Sequence, residues 1–182
     1  MKSNQRDNLL HRAIFILSIL GVLTTFHLYI MNERGFDRGC LGFETSQEFE
    51  ESFDCESVVQ EELEIFGVSN ITLGFLYYSL LILCFLSSLF VTNDLNLLLI
   101  RTRDTLILGG FIYSLYLVIY QHFILREYCA LCLISGMISL CLFILLVWSG
   151  FLKNTSIPDK GIRNHYLLIL TIGIIVAGTD SY

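Results

Sequence analysis

Four stretches of this chain are too long and too apolar to fit a soluble fold of 182 residues. They run over Ala13–Met31, Ile71–Val91, Thr105–Leu125 and Tyr128–Leu152, and none carries Lys, Arg, Asp or Glu near its middle. About 20 helical residues cross a hydrocarbon core of roughly 30 Å, which is the length of each run. The chain is 54% hydrophobic and only 15% charged, so a soluble helical domain with charge along every exposed face is excluded. The expected fold is all-α, an integral membrane four-helix bundle. Residues 1–152 form its membrane domain, and one long polar loop covers residues 32–70. A fifth run, Tyr166–Gly178, has 13 residues. It spans if Ile162–His165 adds a turn and Arg163 snorkels to the interface, so residues 153–182 are expected to hold an inner loop and a fifth transmembrane helix. There is no internal repeat, low-complexity segment or Gly-rich phosphate loop, and no basic patch suited to nucleic acid.

The first run follows Lys2, Arg6 and Arg12, as the core of a signal peptide would. It is longer than such a core and no small-x-small cleavage site follows, so an uncleaved signal-anchor helix is expected. Orientation follows from the cations. With the N-terminus in the cytoplasm, the inner segments hold Lys2, Arg6, Arg12, Arg101, Arg103, Lys153, Lys160 and Arg163, against Arg34, Arg38 and Arg126 outside. That bias puts the 32–70 loop and the short Arg126-Glu127 connection on the extracytoplasmic side. Cys40, Cys55, Cys129 and Cys132 then share one side, compatible with disulfides.

Cys129 and Cys132 form a Cys-x-x-Cys pair at the head of the fourth run. Three residues apart at a helix start, they stand one turn apart on one face, close enough for a disulfide. Unsatisfied backbone N–H groups and the positive end of the helix dipole favour a thiolate at Cys129, the attacking species in thiol–disulfide exchange. Cys40 and Cys55 lie in a loop with eleven acidic residues and two arginines between Asn32 and Asn70. The loop pair reads either as a structural disulfide or as a mobile shuttle that exchanges with Cys129, with Gly35, Gly39 and Gly42 supplying flexibility. A four-sulfur zinc site from both pairs is a third alternative, against which the wide Cys40–Cys55 spacing weighs. Cys84 and Cys141, well inside their runs, read as small packing residues. The apolar Val58-Val59 and Ile65-Phe66 suggest a short amphipathic helix over Ser57–Phe66 lying on the membrane surface.

Taken together, the blocks Cys55-Glu-Ser-Val-Val, Phe66-Gly-Val-Ser-Asn-Ile-Thr-Leu-Gly-Phe-Leu-Tyr-Tyr78 and Tyr128-Cys-Ala-Leu-Cys132 resemble the vitamin K epoxide reductase family, which includes bacterial quinone-dependent disulfide-forming enzymes. The resemblance covers roughly residues 10–152. It implies that Cys129 and Cys132 are the active-site pair, with Cys132 beside the quinone ring. Cys55 would exchange with Cys129, and Cys40 would meet an outside substrate. Asn70 falls where vertebrate members hydrogen-bond a quinone oxygen; read from the residue alone, it is equally a helix N-cap. Gly74 would allow close helix packing.

The resemblance further implies a membrane thiol:quinone oxidoreductase, with a quinone of the ubiquinone or menaquinone type as cofactor. Its partner would be an extracytoplasmic thioredoxin-fold protein, and its place a bacterial inner membrane. Three departures from the family pattern stand out. The loop pair has 14 residues between its cysteines, and Gln60-Glu61 replaces a usual Ser or Thr unless Ser57 serves. Gly136 stands where vertebrate members have Tyr. These fit a general quinone better than vitamin K. Bacterial members often carry a fused thioredoxin-like domain; this chain stops at Tyr182, so a separate partner is expected. Phe75, Tyr113, Tyr116 and Tyr120 are candidates to line the pocket, though ordinary packing accounts for most of them. His122 is a candidate to assist protonation, or an interfacial packing residue. Two other functions remain open: an epoxide reductase using the same cysteines, and a non-enzymatic membrane scaffold with a structural disulfide.

Overall fold

The computed structural model describes residues 2–36, 39–43, 53–60, 68–88 and 93–149. The expected fifth helix over 166–178 lies outside the described residues, as do residues 61–67. Four long helices carry the architecture: α1 Lys2–Glu33, α3 Asn70–Ser88, α4 Asn93–Tyr120 and α5 Ala130–Trp148. A short helix, α2 Cys55–Gln60, lies in the loop between α1 and α3, and α4 runs on through a π turn, Gln121–Leu125. Among the described residues, four helical segments are long and apolar enough to cross a membrane: Leu9–Glu33, Asn70–Ser88, Leu98–Leu125 and Ala130–Trp148. They fall on the four runs expected from sequence, and the protein is an all-α, multi-pass membrane bundle.

Lipid tails are as apolar as leucine, so packing geometry rather than water exclusion brings membrane helices together. Small residues open the necessary space here. A Cβ on Gly21 would lie 2.3 Å from the Tyr78 ring, and one on Gly110 would lie 2.2 Å from the Tyr77 ring. One on Gly74 would meet the Thr25 methyl at 3.0 Å, which bears out the expected close packing there. Adjacent tyrosines of α3 thus press into glycine notches on α1 and α4. The Tyr78 hydroxyl crosses to α5 and donates to the Ser135 carbonyl at 2.8 Å. Phe15 and Phe85 pack at 4.7 Å between centroids, and Phe111 stacks on Phe143 at 4.3 Å. Among the described residues, bare apolar side chains face outward along the helices, including Leu83, Ile112, Ile119 and Val147, as a lipid-facing surface requires. Cys84 is half-buried, but Cys141 is exposed on this surface, so it packs toward lipid and not inside the bundle.

The two ends of the bundle bury polar groups differently. At the end away from the loop, His11, Arg103 and Asp104 are each 4% exposed. Arg103 donates to Asp104 Oδ1 from Nε at 2.9 Å and from an Nη at 2.6 Å, while its other Nη meets His11 Nδ1 at 3.2 Å. This pins α4 to α1. Arg103, one of the inner cations in the charge count, is therefore neutralised inside the protein. The loop end carries Cys40, Cys55, Cys129 and Cys132.

Candidate functional site

The α1 helix ends in a chain of tight turns. Gly35, Phe36, Gly39 and Gly42 all take positive φ, and N–H groups of Phe36, Gly39 and Gly42 bond back to Met31, Phe36 and Gly39. The turns fold the chain back over the helix end and seat Cys40 against Leu28 and Met31 in a buried cluster. The His27 ring nitrogen meets the Leu41 carbonyl at 3.2 Å and ties the loop down. Asp54 then opens α2 by accepting the Ser57 N–H at 3.0 Å, a side-chain cap of the usual kind. Cys55, first in that helix, is bonded to Cys40, with Cα atoms 5.3 Å apart.

Cys129 caps α5. Its backbone is extended (φ −97°, ψ 116°), and its sulfur accepts the Cys132 N–H at 3.2 Å. A sulfur does here what a Ser or Asp oxygen does at other helix starts. Cys129 and Cys132 are separate thiols in this structure, while Cys40 and Cys55 are joined. That bond takes two of the four sulfurs a zinc site would need, and the described residues contain no metal-binding cluster of His, Cys, Asp or Glu.

The structure brings the two pairs together. Cys40, Cys55 and Cys129 belong to one buried cluster with Val58, Val59, Ile71 and Leu131, and Cys132 packs against it. Cys129 is 0% and Cys55 2% exposed. The Ser57 hydroxyl donates to the Glu127 carboxylate, joining α2 to the connection that leads into Cys129. Val58 and Val59 turn inward to this cluster, so the apolar side of α2 faces protein. The expected membrane-surface helix over Ser57–Phe66 is corrected to that extent, its remainder lying outside the described residues.

A cavity of about 370 Å³ lies beneath α2, between α1, α3, α4 and α5. Cys132 stands on its wall with Asn70, Tyr113, Gln121 and Ser135, and Val58 and Val59 roof it. Asn70 is not the helix cap. Ser69 is: its hydroxyl accepts the Thr72 N–H at 3.3 Å and its carbonyl accepts the Leu73 N–H at 3.0 Å. The Asn70 side chain instead turns to α4, where its Oδ1 accepts the Tyr113 hydroxyl. With one lone pair of the oxygen engaged, the amide NH₂ is the donor Asn70 can offer a ligand. Tyr113 and Tyr120 line the cavity, whereas Phe75 and Tyr116 do not and are exposed. His122 lies off the cavity wall and bonds Tyr128 Oη through Nδ1 at 2.6 Å. Gly136 is on the wall, and a Cβ there would touch Val118 at 3.7 Å, an ordinary contact.

Sequence reasoning missed Gln121, Ser135, Thr24 and Thr25 as cavity residues. Gln121 had a usable signal: an amide near the end of an apolar run is unusual in a transmembrane segment. The hydroxyls gave none, since Thr24 and Thr25 bond the carbonyls one turn back, as such residues commonly do in helices.

A model of the vitamin K epoxide reductase family matches residues 12–147, about three quarters of the chain. The chain belongs to that family. The matched span runs from α1 through α5 and takes in all four cysteines of the site. No curated protein and no solved structure matches the chain. Membership makes the protein a membrane oxidoreductase of a family that works on disulfides and uses quinones as electron partners.

The cavity suits a quinone. It is walled mainly by apolar side chains with a few polar groups, as sites for flat apolar ligands are, and a thiol lies on its wall. It also holds a buried amide oxygen, Gln121 Oε1, that no protein donor reaches.

Proposed function

We propose that the protein is a thiol:quinone oxidoreductase that reoxidises an extracytoplasmic thioredoxin-fold partner, working with its N-terminus in the cytoplasm. One observation carries the reading. A disulfide in the loop and a dithiol at a helix start share one buried cluster, and one sulfur of the dithiol lines a quinone-sized cavity.

The electrons run as follows. A partner thiolate attacks the Cys40 sulfur, and the Cys40–Cys55 bond breaks to release the Cys55 thiolate. The partner's second thiol attacks the mixed disulfide, which leaves the partner oxidised and Cys40 a thiol. Cys55 then attacks Cys129 of an oxidised Cys129–Cys132 pair and releases Cys132 as a thiolate. Attack by Cys40 on Cys55 restores the loop disulfide and frees Cys129. Each step moves one S–S bond and no net electrons. The result is the arrangement in the structure: loop pair joined, helix pair reduced. A quinone, when bound, supplies the two-electron acceptor that reoxidises the helix pair. Asn70 would hold a ring oxygen through its NH₂, and Cys132, on the wall, is the thiol that meets the ring. Val58 and Val59 keep water from it.

The loop disulfide is buried, Cys40 being 6% and Cys55 2% exposed, so a soluble partner reaches it only when the loop lifts. That burial supports a loop that shuttles between partner and Cys129. Trapping tests the reading. In Cys132→Ser, a Cys55–Cys129 disulfide should accumulate and be found by peptide mass spectrometry. Recovery of only Cys40–Cys55, with no quinone reduced by any dithiol donor, would leave the scaffold function standing.

A further inference from the structure

Among the described residues, three buried side-chain polar atoms have no hydrogen-bond partner: Tyr77 Oη, Ser139 Oγ and Gln121 Oε1. Tyr77 and Gln121 both stand on the cavity wall. Gln121, which is 5% exposed, is the only amide of the three. A buried carbonyl-type oxygen without a donor destabilises the fold that holds it. The neighbouring wall positions Leu117, Leu125 and Leu131 carry no such burden.

Gln121 also sits where the backbone departs from α geometry. It opens the π turn Gln121–Leu125, and its carbonyl accepts the Arg126 N–H at 2.8 Å, five residues on. Arg126 closes the turn with φ 58°, a left-handed backbone that a residue other than Gly or Asn adopts at some strain. Insertions of this kind concentrate at functional sites. The turn leaves Gln121 buried and turned to the cavity, while His122, Phe123 and Ile124, which follow it, are exposed.

The chemistry of the amide indicates the ligand atom it meets. A quinone oxygen only accepts a hydrogen bond; after two-electron reduction the same oxygen bears a hydrogen and donates. Asn70 offers its NH₂ as a donor, while Tyr113 already takes up one lone pair of its oxygen. Gln121 has its acceptor open, and an amide turned over presents its NH₂ in the same place. We propose that Gln121 is a second ring-oxygen ligand of the cavity, holding the quinone by its NH₂ and the quinol by its Oε1. The proposal rests on the quinone reading above and names the residue that retains the ring through its change of redox state.

Full-length protein in lipid nanodiscs tests it, with short-chain ubiquinone and menadione, and their reduced forms, as probes. Gln121→Met keeps the side-chain length and removes both polar atoms. Affinity for quinone and for quinol should each fall about tenfold, the loss of one well-made buried bond. Asn70→Leu should weaken the quinone more than the quinol. Dithiothreitol should still reduce the Cys40–Cys55 bond of Gln121→Met, without quinone, at the wild-type rate. The thermal midpoint of ligand-free Gln121→Met should equal or exceed that of the wild type, because an unsatisfied polar group has gone. A lower midpoint with unchanged affinities would assign Gln121 a structural role and overturn the proposal, as would unchanged affinities alone. If wild-type protein binds neither probe in either redox state, the quinone reading itself fails and takes this proposal with it.

Discussion

The bundle buries polar groups at both ends and uses them in opposite ways. At one end His11, Arg103 and Asp104 satisfy each other across α1 and α4, and what they form is a clamp. At the other end stand two cysteines not joined to each other, the Asn70 amide and the Gln121 amide oxygen with no donor, around a cavity. Both arrangements are costly in a low-dielectric interior. A cluster that satisfies itself can be fully explained by structure, whereas one that stays incomplete needs a second molecule. In a membrane protein, then, the presence of buried polarity says little about function until its hydrogen bonds are accounted for.

Substitutions at the two ends should separate these roles, the largest effect coming at the loop end. Cys129→Ala removes the sulfur proposed to link loop and helix pairs, so quinone-dependent dithiol oxidation should fall to background. Its thermal midpoint should stay within a few degrees of wild type. Loss of folding in place of loss of turnover would break the contrast. Asp104→Leu at the clamp should do the reverse. It leaves Arg103 buried without its carboxylate and should cost about 3–5 kcal/mol of stability. The quinone KM of the molecules that remain folded should be unchanged. Thermal unfolding in detergent beside steady-state kinetics reads both quantities.

An intermediate effect is expected at Gly110, where α4 takes the Tyr77 ring beside the cavity. Gly110→Ala puts a Cβ on the ring and should destabilise by about 1–3 kcal/mol through overpacking. Because both residues also line the cavity, quinone KM should rise with it. A drop in stability with no change in KM would show that the notch belongs to the scaffold alone. The smallest effect is predicted for Ser57→Ala, which releases α2 from Glu127. The contact is open to water and contributes about 1 kcal/mol or less. Reduction of Cys40–Cys55 by a small dithiol should speed up a few-fold, with quinone affinity unaltered. Slower reduction would mean that Ser57 does something other than hold the loop closed.

What could be read in advance followed how locally each property is encoded. The four crossings, the long loop and the dithiol at the head of the fourth run all depend on composition within a few turns of helix. The family blocks named the four cysteines and Asn70. Asn70 illustrates where local reading stops. A polar residue at a helix start is an N-cap or a ligand, and its own sequence neighbourhood does not separate the two. Its partner, Tyr113, lies 43 residues away on another helix. The described start of the expected surface helix over Ser57–Phe66 differs for the same reason: Val58 and Val59 make an apolar face, but sequence does not say whether lipid or protein covers it.

The sequence by itself determined that this chain crosses a membrane several times and holds a Cys-x-x-Cys pair at the head of its fourth apolar run. Charge is so expensive in lipid that its exclusion is written directly into the one-dimensional pattern. Only the tertiary structure decided which groups face each other: the loop disulfide above Cys129, Cys132 on a cavity wall, Tyr113 turning Asn70, and Gln121 left unanswered. Those relations depend on how each helix is rotated about its axis. That rotation is set where single glycines admit a tyrosine ring from a neighbouring helix, a matter of shape between residues far apart in the chain.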